Sequence, residues 1–554
     1  MLEVLIVEAS YNGVNVAEAV AGRLAASGVT HVFGYPGGET LALLDACRRR
    51  GLRFILTRHE ATAAFAALAT GELTGVPGVC LATLGPGATN LVSGVAAALL
   101  ERAPLLAFTA QLPRSRYETT THQRLDLGAL FGPITKASMR LEPDEALRSL
   151  ERGMRLAVTP RPGPVHFEVP SDVPTQPCSD ALGAARAAIG GAAPQPAPLA
   201  TPAVIAEARR LIAGCRQPVL LLGLAAKGAA QDDVVSFAQA AGLPVVVTPK
   251  AKGLMPESHP LFVGVIEMLG TRHLTEWLAG ADGFIFAGFD PVELDMLWDL
   301  DRPAVLLDMV ADPDLYYRID VEVTGDVGAN LRQLAAVDDR ELLLGVRTCE
   351  EGRGRAAQAR EVLAGKIDQP PEPGLMSPRQ IVHAVRRGAT SADALATTDV
   401  GAHKMAAGQL WRVEHPGCFL MSNGQSSMGY GLPAAMAAKL MWPERQVVAL
   451  IGDGGLGMYL GELETLARLG LPIPIVVPVD DQLTLIAMGQ ERRGYERYGV
   501  GFGAPDYVEL ARSLGGHGVV ANDEATLREA VTTAFGRQTF TLIAAPVDER
   551  LYRV

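Results

Sequence analysis

The stretch VVALIGDGGLGMYLGELETLARLGLPIPIVVPVDDQLTLI, residues 447 to 486, decides the fold. An apolar run of strand length ends in Gly452-Asp453-Gly454-Gly455, a helical pattern follows, and a second apolar run ends in Asp480-Asp481. Strand, helix, strand in this order predicts two parallel strands whose carboxyl ends share the edge where such sheets bind ligands. Both acidic ends are therefore expected to converge. Glycine lets the backbone approach a diphosphate, and the helix start behind it offers free N–H groups and a positive dipole end. Carboxylates around a diphosphate suit Mg²⁺, which takes oxygen ligands and shares itself between protein and phosphate. Taken alone, GDGG reads as well as a plain turn, and Asp480-Asp481 as a solvated loop.

The same alternation runs outward from this stretch. THVFGYPG (30–37) precedes ETLALLDACRRR (39–50), and LRFILTR (52–58) precedes HEATAAFAALATGEL (59–73), strand pattern before helix pattern each time. The class is α/β, with doubly wound parallel sheets. Two segments dilute the pattern, the Ala/Pro-rich 181–202 and the charged EEGRGRAAQAREVLAGKIDQPPEPG at 350–374. They divide the chain into 1–180, 200–340 and 375–554, each of single-domain size. The middle piece begins with PVLLLGLAAKGAA (218–230), which looks like a dinucleotide-binding start without GxGxxG. A structural Rossmann-like domain is expected there, with a bound nucleotide as the minority reading.

Composition narrows the partners. Hydrophobic residues at 48% and charged residues at 20% are those of a soluble globular protein, and 554 residues are too many for one core. Lys plus Arg number 49 against 61 acidic residues, a net charge of -12, and no basic run suits a phosphate backbone. Nucleic acid is excluded as an expected partner. The six cysteines form no CxxC pair, which argues against a zinc site or a disulfide framework and for a reducing compartment. MLEVLIVEAS has no basic start and breaks early to YNGVN, so neither a signal peptide nor a membrane span is expected, and the location is cytoplasmic.

On these residues the chain resembles the thiamine-diphosphate (ThDP) dependent enzymes, whose signature is GDG followed at a distance by an Asn-rich strand end. The resemblance implies that Mg²⁺ is held by Asp453, Asp480 and the backbone carbonyl of Gln482, the acids lying 480 − 453 = 27 positions apart, with Gly452, Gly454 and Gly455 around the diphosphate. Val479-Asp480 replaces the usual Asn pair, a departure shared by the catabolic, FAD-independent acetolactate synthases. ThDP needs a carboxylate at N1′ of its aminopyrimidine, most effective when buried. Glu60, after a strand and at the start of an Ala-rich helix, matches that carboxylate, although a helix-start glutamate is common in any protein. Gly85-Pro86-Gly87-Ala88-Thr89-Asn90 resembles the family's GPGxxN turn, so Gly85 and Asn90, with Pro36 of the YPG turn, are expected to bind cofactor.

FLMSNGQSSMGYGLPAAMAAKL (419–440) resembles the acetolactate synthase stretch that puts Met428 between the cofactor's rings and the backbone of Ser426 and Met428 on its pyrimidine. In THQRLDLGALFGPITKA (121–137) the same comparison has Gln123 facing the reacting centre, with Lys136 downstream. Met488-Gly489 stands where the family has a Phe-Gln pair, with Gln490 one place later. His59, His122 and His403 lie near these motifs and read equally as proton-transfer aids or as structural histidines.

The resemblance implies a pyrimidine-binding domain (1–180), a central Rossmann-like domain (200–340) and a diphosphate-binding domain (375–554). It implies decarboxylation of a 2-keto acid, pyruvate by default, and ligation of the acyl unit to a second carbonyl, giving 2-acetolactate or a related acyloin, without FAD. A homodimer or homotetramer follows, Glu60 coming from one subunit and the Mg²⁺ cradle from its neighbour. The alternatives are a ThDP-dependent decarboxylase or lyase for another keto acid, a non-catalytic ThDP-fold protein, and an FAD-dependent synthase.

Overall fold

The computed structural model describes residues 13–552 except 181–198, 267–271, 295–300, 312–316, 337–347, 365–369 and 504. The N-terminal decapeptide and most of the Ala/Pro-rich segment read above lie outside the described residues. Two compact units are present: 1–195 with 425–443 and 457–471, and 196–424 with 444–456 and 472–554.

Three six-stranded sheets, parallel throughout, organise the chain. The first contains β1 (His31–Tyr35), β2 (Arg53–Leu56), β3 (Gly78–Ala82), β4 (Leu105–Gln111), β5 (Ala137–Arg140) and β6 (Pro164–Pro170), in the order β2-β1-β3-β4-β6-β5. The second has β7 (Pro218–Leu222), β8 (Val245–Val247), β9 (Phe262–Val265), β10 (Gly283–Ala287), β11 (Ala304–Asp308) and β12 (Val321–Thr324), ordered β12-β11-β10-β7-β8-β9. The third has β13 (Leu395–Thr398), β14 (Phe419–Met421), β15 (Val447–Leu450), β16 (Pro474–Val479), β17 (His517–Val520) and β18 (Thr541–Pro546), ordered β14-β13-β15-β16-β18-β17. First and third sheets thus share one topology. Central strands such as β4 of the first sheet and β7 of the second are buried along their whole length, as strands covered on both faces must be.

Strand order decides where ligands can bind. In an open parallel sheet the crevice lies beyond the carboxyl ends of the two strands at which the order reverses. That point falls between β1 and β3 in the first sheet, between β7 and β10 in the second and between β13 and β15 in the third.

One local outcome differs from the sequence reading. The charged segment at 350–374 is a helix over Cys349–Ala364, with Ala356 and Ala359 buried in a cluster with Phe284 and Phe286 of the central sheet. Its buried residues among those described, Gly352, Ala356 and Ala359, are small and carry little hydrophobic signal. At the central switch point, β7 runs into a 3-10 turn (Leu224–Gly228) and then the helix Gln231–Ala240, and the first N–H of the turn, that of Leu224, donates to the buried Glu293 carboxylate at 2.7 Å.

Burial pushes the Glu293 carboxyl from 4.5 up to about 7. The folded chain therefore retains a proton that the unfolded chain releases above about 4.5, so this group's contribution to stability falls as pH rises from there to about 7. The loss is on the order of 3 kcal/mol. Glu293→Gln should raise the melting temperature relative to wild type at pH 8 and leave it little changed at pH 5; parallel melting curves at the two pH values would show that the carboxyl ionises freely.

Candidate active site

In the third sheet, β15 and β16 are paired in parallel, and their ends are stitched by the side chain of Asp453. Its Oδ2 accepts from the backbone N–H of Asp480 at 3.1 Å and of Asp481 at 2.8 Å, and its Oδ1 from Gly454 N–H at 2.8 Å. The two acidic turns expected to converge do so. Burial raises both carboxyls; for Asp453 the backbone N–H groups oppose the shift, and Asp480 reaches about 6 against the pull of the Thr484 hydroxyl, which donates to its Oδ2 at 2.5 Å. Hard oxygens, buried at Asp453 and half-buried at Asp480, with Asp453 raising the cost of the Asp480 charge and Asp481 that of Asp453, form a donor set that a divalent cation would relieve. Among the described residues no cluster of three or more His, Cys, Asp or Glu could hold a metal. A cation here must complete its shell from backbone carbonyls and a bound ligand, and Gln482, bridged to Gly501, follows directly.

The glycines around Asp453 are sterically required. A Cβ at Gly455 would stand 1.8 Å from Oδ2 of Asp399, and one at Gly452 would meet the His403 ring at 2.8 Å. Asp399 and His403 come from the other side of the switch point, after β13, and are hydrogen-bonded at 2.8 Å between Oδ1 and Nε2. Gly452 N–H also points at His403 Nε2, at 3.1 Å. Sequence reading flagged His403 but missed Asp399, whose signal was its place directly after β13.

In the first sheet the other expected residues follow β1 and β3, the two strands of the switch point, and their neighbours β2 and β4. Glu60 begins the helix Glu60–Thr74 and is 9% exposed; Asn90 Nδ2 donates to its Oε2 at 2.9 Å. Gly87 packs against Glu60 as well, a Cβ there reaching Oε1 at 3.3 Å. Gly85 has φ +60 and precedes the helix Pro86–Leu100; Gln123 lies against it, 3.0 Å from where its Cβ would be. The turn containing Pro36 follows β1, and its Gly37 abuts Thr83, two places before Gly85. Glu60, Asn90, Gly85 and Gln123 are thus one neighbourhood, with the Pro36 turn at its border.

Backbone strain marks the same stretches. Among the described residues five other than glycine have positive φ, and three are Gln123 (+56), Ser426 (+51) and Asp481 (+58). Left-handed backbone in side-chain-bearing residues persists where the surroundings impose it, most often at functional sites. Met428 is half-buried; after it Gly429, at φ +80, leaves room for the Tyr459 ring.

Several flagged residues are occupied elsewhere. His59 is the N-cap of the helix Glu60–Thr74, its Nδ1 accepting from Ala61 N–H at 3.0 Å. Lys136 donates to the carbonyls of Thr159 and Arg161, tying down that turn, and His122 is exposed. Met488 joins the core of the third sheet, while Gln490 donates to Tyr498 O at 2.9 Å and accepts from its N–H at 3.2 Å. Gln490 therefore closes the loop that follows the helix Thr484–Arg492. None of the six cysteines is in a disulfide, and among the described residues no helix is long and apolar enough to cross a membrane.

Fold and turns define the class: an α/β enzyme with a glycine-bordered acidic turn at a sheet's switch point, suited to a diphosphate and a divalent cation. Residues 14–130, 205–334 and 399–545 match, in turn, the N-terminal TPP binding domain, the central domain and the C-terminal TPP binding domain of thiamine pyrophosphate enzymes. The chain is 34% identical over 549 residues to the acetolactate synthase large subunit of Parasynechococcus marenigrum, covering 95% of this chain and 86% of that protein. It is 32% identical over 537 residues to a probable acetolactate synthase large subunit of Methanocaldococcus jannaschii (93% and 89% covered). A catabolic acetolactate synthase of Raoultella terrigena is 31% identical over 548 residues (96% and 95% covered). The chain belongs to the thiamine pyrophosphate enzymes and is an enzyme of the acetolactate synthase type.

Proposed function

We propose that the protein uses ThDP and Mg²⁺ to decarboxylate a 2-keto acid, pyruvate in the first instance, and joins the acyl unit to a second carbonyl, forming 2-acetolactate or a related acyloin. The observation that carries this reading is Asp453, buried at the switch point and bonded to the strand end that bears Asp480. The names of the relatives support it. When bound, ThDP supplies a stabilised carbanion and acts as the covalent catalyst. Asp453, Asp480 and the carbonyl of Gln482 would hold Mg²⁺, and the Gly452–Gly455 turn the diphosphate. Glu60, oriented by Asn90, would hold the proton at pyrimidine N1′, while Pro36, Gly85, Ser426 and Met428 would contact the pyrimidine side. Gln123 would orient the keto acid, and the enclosing side chains would exclude water.

Each sheet with its helices is read as one domain, and the enzyme as a cytoplasmic homodimer or homotetramer with its active sites at the subunit interface. FAD is not expected. The N–H that would meet a dinucleotide's phosphates in the central domain is already bonded to Glu293, and a Cβ at Gly288 would lie 2.0 Å from the backbone of Ala226. A second reading, a decarboxylase or lyase for a different keto acid, is favoured by one feature: Gly489 offers no side chain where the family carries glutamine. Purified protein supplied with ThDP, Mg²⁺ and single keto acids, its products separated by chromatography, decides between them. Acetolactate from pyruvate is the expected result; an aldehyde as sole product, or turnover only with bulkier keto acids, establishes the second reading.

A further inference from the structure

The junction that presents Glu60 is anchored by a residue with no role so far. Two residues before the helix Glu60–Thr74 turn their N–H groups inward, where a helix has no partners of its own to offer. Arg58 N–H donates to Oε1 of Glu462 at 2.8 Å, and His59 N–H to the same oxygen at 3.1 Å. The other oxygen, Oε2, accepts from the Thr465 hydroxyl at 2.8 Å, so the carboxyl is fixed at both ends. Glu462 is 2% exposed. Contacts on either side reinforce the anchor: Gly461 lies where a Cβ would be 3.3 Å from Arg58 Cβ, and the Tyr459 ring meets the His59 ring edge-on at 5.7 Å. Thr57, just upstream, is fully buried and donates from its hydroxyl to His59 O at 3.0 Å.

We propose that Glu462 is a positioning residue, which sets the direction of the Glu60 carboxylate by gripping the backbone of Arg58 and His59. Glu462 stands 462 − 453 = 9 residues after Asp453 in the sequence, so a single segment carries the diphosphate turn and the clamp on the activator's loop. The inference rests on Glu60 being the activating carboxylate. An acid in the first turn of the helix Glu462–Leu469 could serve that helix alone. A merely structural role would change melting temperature but not the chemistry of folded, cofactor-saturated protein.

The experiment compares wild type, Glu462→Ala, Glu462→Gln, Glu462→Asp and Glu60→Gln. Two quantities are read: amide hydrogen exchange of the cofactor-free protein in peptides covering residues 57–60, and deuterium exchange at C2 of ThDP at saturating ThDP and Mg²⁺. Glu462→Ala should speed amide exchange at Arg58 and His59 and slow C2 exchange by about 10- to 100-fold, the scale on which small misplacements act. Glu462→Gln retains an acceptor oxygen for both N–H groups and should restore protection and most of the rate. Glu462→Asp, one methylene short, should fall between them, and it decides the matter if the alanine variant does not fold. Wild-type C2 exchange in Glu462→Asp, or unchanged amide protection in the folded alanine variant, overturns the proposal. If Glu462→Ala exchanges C2 normally while Glu60→Gln does not, only the positioning role is lost; if Glu60→Gln exchanges normally, the assignment of Glu60 fails by itself.

Discussion

Glu60→Gln should leave the protein folded and able to bind ThDP, and slow deuterium exchange at the cofactor's C2 by about 10²- to 10⁴-fold, the range in which a positioned proton-transfer group acts. The substitution is nearly isosteric. Glutamine can still accept from Asn90 Nδ2, now 2.9 Å from Glu60 Oε2, but its remaining amide nitrogen can only donate, and cannot share a proton with pyrimidine N1′. Because the helix is N-capped by His59 and buried along most of its length, the fold does not depend on the Glu60 charge. Acid-quenched NMR of the cofactor measures the rate. Exchange at the wild-type rate in the variant would assign the activation to another group.

Asp453→Asn should weaken Mg²⁺-dependent ThDP binding by more than the roughly 10- to 100-fold typical of residues that only orient a metal ligand. Asparagine brings two defects at once. It removes a negative charge, and it replaces one of two oxygens that together receive N–H groups from Gly454, Asp480 and Asp481. With the amide nitrogen toward Asp480 and Asp481, two N–H groups lose their acceptor, at about 1–3 kcal/mol each. The variant should therefore melt earlier than wild type even without cofactor. Fluorescence quenching on titration with ThDP and Mg²⁺ gives the first effect and a thermal melt of the cofactor-free protein the second; wild-type affinity would remove Asp453 from the metal site.

The residues that the sequence brings forward are those whose setting is local. Gly452 to Gly455 and Asp480-Asp481 announce themselves because each sits where an apolar run stops, and period and turn chemistry are visible within a few positions. Glu60 and the GPGATN turn came forward only through the family resemblance, and the structure brings them together through Asn90 and Gly87. Glu462 was not, since its partners are 404 and 403 residues away and nothing in ELETLARL distinguishes a clamp from a solvated first-turn acid. Asp399 and Glu293 were missed likewise, because their importance comes from strand order, which brings distant turns together. The helix Cys349–Ala364 was read as a divider because its described buried residues are small, and Gln490, one place after the family's pair at 488–489, is taken up by the Tyr498 backbone. Pattern gives elements and their ends; pairing of those ends is a property of topology.

The helix Thr484–Arg492 divides its duties by face. Met488 is held in the core, whereas Ile486 is 56% exposed, and a Cβ at Gly489 would make only an ordinary contact, 3.4 Å from the Arg493 guanidinium. Positions 486 and 489 can therefore change identity at little expense to folding. Descendants of this chain can vary these two positions while the inward face that carries Met488 stays as it is.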